Sequence, residues 1–103
     1  MKNIREATDL MEELLENNVD YETIVFTERG REIINEISDF AEQTRIFKDN
    51  EKKGEMFDGS TVKQIFGYML DRIVNAPTSM HRDMSIILIM PFVRRKLKEE
   101  ENQ

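Results

Sequence analysis

Hydrophobic residues recur at spacings of three and four through most of this chain, the pattern of helices laid against a shared core. Between Asn3 and Glu16 the apolar positions are Ile4, Ala7, Leu10, Met11, Leu14 and Leu15. Glu6, Asp9, Glu12, Glu13 and Glu16 fill the other face, and Asn17-Asn18 ends the element. Ile33, Ile34, Ile37, Phe40, Ala41, Thr44 and Phe47 trace one face of a second helix over 27–47, with Thr27 as its N-cap. Gly30 costs about 1 kcal/mol relative to Ala in a helix interior, which argues for a start just after it. Val62, Ile65, Phe66, Met69, Leu70, Ile73 and Val74 predict a third helix over 60–75, capped by Asp58 or Ser60. Asn75-Ala76-Pro77 stops it, because the residue before proline is pushed out of helical geometry. A fourth helix, capped by Thr78 or Ser79, runs over 79–98.

Three stretches fall outside that period. Thr23-Ile24-Val25-Phe26 is β-branched and aromatic, as a strand would be, but no second strand-like segment stands by to pair with it. The segment 20–26 is therefore expected to be a loop or first helical turn, with Ile24 and Phe26 plugging the core. Residues 48–59 are charged and punctuated by glycine, and are expected as a solvated loop anchored at its far end by Met56 and Phe57. The tail 99–103 is expected to fray.

The fourth helix has no hydrophilic face from Met84 to Val93. Pro91 lies inside it, removes one backbone hydrogen bond and crowds the carbonyl of Ile87, so a kink or two shorter helices is expected. The resulting fold class is all-α: a single-domain bundle of about four helices over 1–103, the last kinked at Pro91. A domain this small rarely encloses one helix completely. Part of the stripe (Met84, Ile86, Ile89, Met90 and Val93) is accordingly the candidate partner interface, and methionines suit adaptable contact surfaces.

Charge refines this picture. The net charge is −6, and it is unevenly placed: residues 1–57 hold fifteen acids and eight bases, residues 58–103 six acids and seven bases. A net-acidic domain is a poor general binder of nucleic acid, which requires clustered Lys and Arg. The absence of cysteine excludes disulfides, thiolate nucleophiles and zinc–thiolate sites. Lys2, Arg5, Glu6 and Asp9 leave no apolar core for a signal peptide, and the run at 86–90 is far short of the ~20 residues of a spanning helix. A soluble cytoplasmic protein with no membrane partner and no cofactor is expected. The usage, rich in Lys, Glu, Asn and Ile, resembles that of short accessory proteins from low-GC bacteria and their phages.

Few residues offer chemistry. His81 is the single histidine, and Asp83, two residues away, faces another direction on a helix, so it cannot orient an imidazole base. Carboxylate pairs such as Glu32/Glu36/Asp39 lie on polar helix faces, where water keeps them ordinary. No calcium-loop, zinc-helix or phosphate-loop motif is present. Two charged features remain. The row Asp9, Glu12, Glu13 and Glu16 places carboxylates about 5–6 Å apart along a helix, near the spacing of phosphates on a nucleic-acid strand. Arg94, Arg95, Lys96 and Lys98 form a basic patch that could meet phosphates, or merely complement the helix C-terminus with Glu99–Glu101 as counter-charge. A recognition helix would be polar where this one is apolar, so direct nucleic-acid binding is not expected. The leading expectation is a small non-enzymatic protein–protein interaction or regulatory protein, self-associating as a homodimer through 84–93. The alternative is an acidic nucleic-acid mimic that inhibits a DNA- or RNA-handling enzyme.

Overall fold

Four threonine hydroxyls set where helices begin. Thr27, Thr44, Thr61 and Thr78 each stand in extended backbone geometry and accept the amide N–H three residues on, an N-cap worth about 1 kcal/mol apiece. The computed structural model describes residues 1–103 and places between these caps α2 (Glu28–Glu42), α3 (Arg45–Asn50), a 3-10 helix (Glu51–Phe57), α4 (Val62–Val74) and α5 (Ser79–Glu101), with α1 (Glu6–Asn17) before them. The fold class is all-α, as the periodicity predicts, with one minimal hairpin added.

That hairpin corrects the reading of 20–26 as loop or helical turn. β1 (Val19–Asp20) and β2 (Val25–Phe26) pair antiparallel, Val19 opposite Phe26 and Asp20 opposite Val25. The Asp20 carboxylate accepts the Glu22 and Thr23 amides and folds the turn. Ile24, at φ +51°, occupies the left-handed region that β-branched residues avoid. Phe26 does reach the core, where its ring meets that of Phe66 edge-on at 5.4 Å.

The predicted second helix is two helices. Thr44, expected on its apolar face, instead caps α3: its hydroxyl donates to the Ala41 carbonyl and accepts the Phe47 N–H. A capping threonine diverts the backbone from continuing. Gly30 lies within α2, which the Thr27 cap starts at Glu28, and the position requires glycine because a Cβ there would come 2.5 Å from the Asn18 carbonyl oxygen. The solvated loop expected over 48–59 is largely helical. Phe57 is buried as its anchor, whereas Met56 points outward. Thr61, rather than Asp58 or Ser60, caps α4, in a reciprocal arrangement with Gln64.

α5 is the central element. It packs against α4 and α2 most extensively, and also against α1, α3 and the 3-10 helix. This surround is why one helix can be apolar all round in so small a protein. It runs through the buried Pro91 as a single element, so the two-helix outcome is not realised. The tail does not fray where expected. Helix continues to Glu101, the Glu100 carboxylate accepts the Val62 N–H of α4 at 2.7 Å, and Glu101 pairs with Arg31. No helix is long and apolar enough to cross a membrane.

Candidate functional site

The fold redistributes the residues that the sequence singles out. Ile86, Ile89, Met90 and Val93 are buried within the single chain, and only Met84 of that set is partly exposed. Four of the five candidate interface residues thus belong to the core of this chain. The basic patch is largely neutralised from within. Arg94 lies 2.6 Å from Asp39 and 3.0 Å from Glu42; Arg95 bonds Glu42 and Glu51, both at 3.0 Å; Lys96 pairs with Glu99. Lys98 is exposed, without an ion pair. His81 is exposed in the first turn of α5, its Nδ1 2.6 Å from the Thr78 hydroxyl. Asp83 turns inward to accept the Thr8 hydroxyl, tying α5 to α1. The two side chains therefore do not converge.

The acidic row stays on the surface. Asp9, Glu12, Glu13 and Glu16 are all exposed on α1, and of these Glu13 alone has an ion-pair partner, Arg29 of α2. The bidentate Arg29 guanidinium holds the Glu13 carboxyl below the usual carboxylate range, and Glu13 in turn raises Arg29. Glu6, at the start of the same helix, is lowered by backbone N–H groups of Lys2 and Asn3. No three or more His, Asp or Glu side chains converge as a cluster able to hold a metal ion.

A groove that the sequence does not announce lies between the 3-10 helix, α4 and α5. Lys53, Met56 and Phe57 form one wall, and Tyr68 and Arg72, one turn apart on α4, form the other. The floor comes from Ser85, Leu88, Ile89 and Phe92 of α5. Its volume is about 250 Å³, room for one or two side chains rather than the 300–1,000 Å³ of a typical small-molecule pocket. Met56 and Tyr68 are 58% and 38% exposed, among the few large apolar side chains left in water. A second depression of about 130 Å³, lined by Asn75, Ala76, Pro77 and His81, shares Arg72 and Ser85 with the first and extends it along α5.

The groove is braced from behind. The Phe57 ring meets Tyr68 at 5.5 Å and Phe92 at 5.6 Å, and Phe92 meets Phe47 at 5.3 Å. Arg95 lies 5.4 Å from the centres of both the Phe47 and Phe92 rings while bonded to Glu42 and Glu51. Tilted and edge-on aromatics packed under a fixed guanidinium resist rearrangement, so the floor is preorganised. Of the residues lining the main groove the sequence singles out Met56, Phe57 and Ile89, while Phe47, His81 and Arg95 around it are marked for other roles. Tyr68, an aromatic on the exposed face of α4 that also carries Lys63, Gln64, Asp71 and Arg72, is the signal that could have located the site.

Comparison with protein-family models, curated proteins and solved structures finds no match for this chain.

Proposed function

We propose that this protein is a small non-enzymatic binding module that holds a segment of a partner protein in the groove between the 3-10 helix, α4 and α5. The observation that carries the reading is the co-location of Met56, Tyr68, Leu88 and Phe92 around one braced depression. Exposed apolar side chains scattered singly need no explanation; gathered around a cleft they mark a recognition surface. The reading keeps the protein-binding role expected from the sequence and shifts its surface on α5 from Met84, Ile86, Ile89, Met90 and Val93 to Ser85, Leu88, Ile89 and Phe92.

A second reading rests on a separate observation. Asp9, Glu12 and Glu16 stand exposed along α1 with no ion-pair partner, as a carboxylate row imitating phosphates would require.

One comparison tests both. The tagged protein, a Tyr68→Glu/Leu88→Glu variant and a Glu12→Lys/Glu16→Lys variant are used to capture partners from a nuclease-treated bacterial lysate, with circular dichroism as the folding control. A partner lost with the first variant and kept with the second supports the groove. A partner lost only with the second, and released as salt rises, supports the acidic mimic and overturns the groove reading.

A further inference from the structure

We infer that the occupant of this groove is an acidic amphipathic helix, with apolar side chains seated over Tyr68, Leu88 and Phe92 and carboxylates meeting Lys53 and Arg72. The inference rests on the groove reading above and adds the chemistry of the partner.

Charge complementarity is the first argument. Acids outnumber bases in this chain, 21 to 15, yet the two adjoining depressions are lined by Lys53, Arg72 and His81 and by no carboxylate. Most arginines elsewhere are internally engaged: Arg29, Arg31, Arg45, Arg94 and Arg95 all hold carboxylates of their own chain. No carboxylate of this chain makes an ion pair with Lys53 or Arg72. Cations left unpaired around an apolar cleft favour a partner that brings negative charge and disfavour one that brings positive charge.

Backbone chemistry supplies the second. Apart from the Asn75–Pro77 connection between α4 and α5, the walls and floor are helix, and no strand lies among the lining residues. An extended peptide laid there would find no sheet edge to satisfy its N–H and C=O groups, whereas a helix satisfies its own. The length agrees. His81 to Phe92 spans about 16 Å at the helical rise, which matches three turns of a bound helix with anchors at i, i+4 and i+7.

The test uses the full chain, isotope-labelled, and two stapled three-turn helical peptides. Both carry leucine at i, i+4 and i+7; one has Glu at its flanking positions and the other Lys. Amide shifts locate binding, and titration gives affinity. The expected result is perturbation of Tyr68, Leu88 and Phe92 with the acidic peptide bound at least about tenfold more tightly. An Arg72→Glu/Lys53→Glu variant, altered only at exposed positions, should invert that preference. Equal affinities, or tighter binding of the basic peptide, at the same residues would overturn the acidic partner and leave the groove reading standing. If neither peptide perturbs the groove at millimolar concentration, the inference fails, and the groove reading is then decided by the capture comparison alone.

Discussion

The ring of Phe92 occupies the space that a side chain at position 54 would need. A Cβ built on Gly54 collides with three ring atoms of Phe92, so the 3-10 helix can lie against α5 only because residue 54 has none. Phe92 cannot simply swing aside, because its ring is wedged between Phe47 and Phe57 with Arg95 against it.

Gly54→Ala should therefore destabilise the protein by about 1–3 kcal/mol, the usual cost of overpacking a close contact. Helix propensity alone predicts the opposite sign, a gain of about 1 kcal/mol. Urea denaturation distinguishes the two, and a variant as stable as wild type would mean that the ring relocates freely. The same substitution should also weaken partner capture, since Phe92 is part of the groove floor.

Ile24 provides a test of backbone strain. At φ +51° an isoleucine is held in a region that costs non-glycine residues about 1–2 kcal/mol. Ile24→Ala loses apolar contact and keeps the strain; Ile24→Gly loses slightly more contact and releases it. Glycine should thus be the more stable of the two by about 1 kcal/mol, the reverse of the order found in helices. Thermal melts of both variants give the answer directly, and alanine ranking above glycine would sink the argument.

Much of the fold was legible where the apolar period is long enough to count. The apolar face of α4 over Val62–Val74 follows from spacing, although its cap is Thr61, and Thr78 is one of the two caps expected for α5. The hairpin was not legible, because two-residue strands carry no alternation; its partner strand, Val19–Asp20, is too short to look like one. Thr44 was misplaced because a threonine at helical spacing reads the same whether it continues a helix or caps the next. The groove was hidden by α5 itself. A helix apolar on every side gives no phase, so which edge faces water depends on where the other helices land. Ser85 is the one polar residue within that run, and it does lie in the groove.

The C-terminal turn should prove structural. The Val62 N–H is one of the first-turn amides of α4 that no helix carbonyl can satisfy, and the Glu100 carboxylate accepts it across 38 residues of sequence. Glu100→Ala should cost about 1 kcal/mol, with faster hydrogen exchange at the Val62 amide. Glu100→Gln keeps an acceptor oxygen and should recover most of the loss. Equal exchange rates in all three proteins would return the segment to the frayed tail that its composition suggests.

Acid should loosen the contact between α1 and α2. Arg29 donates to both oxygens of Glu13, at 2.6 and 3.1 Å, and thereby lowers the Glu13 pKa in the folded protein. A carboxyl whose folded pKa lies below its unfolded one binds fewer protons when folded. Its stabilising contribution is complete above the ordinary glutamate range and is lost as pH falls through the lowered value. Melting temperature measured from about pH 6 down to pH 3 should therefore decline, with Glu13 supplying part of the slope. Glu13→Gln and Arg29→Met should each melt lower than wild type near neutrality and show a shallower decline on acidification. Both groups are exposed, so the difference between variant and wild type should also shrink as salt is added. A Glu13→Gln protein with the same acid slope as wild type would mean that the pair, although well aligned, adds nothing to stability in solution.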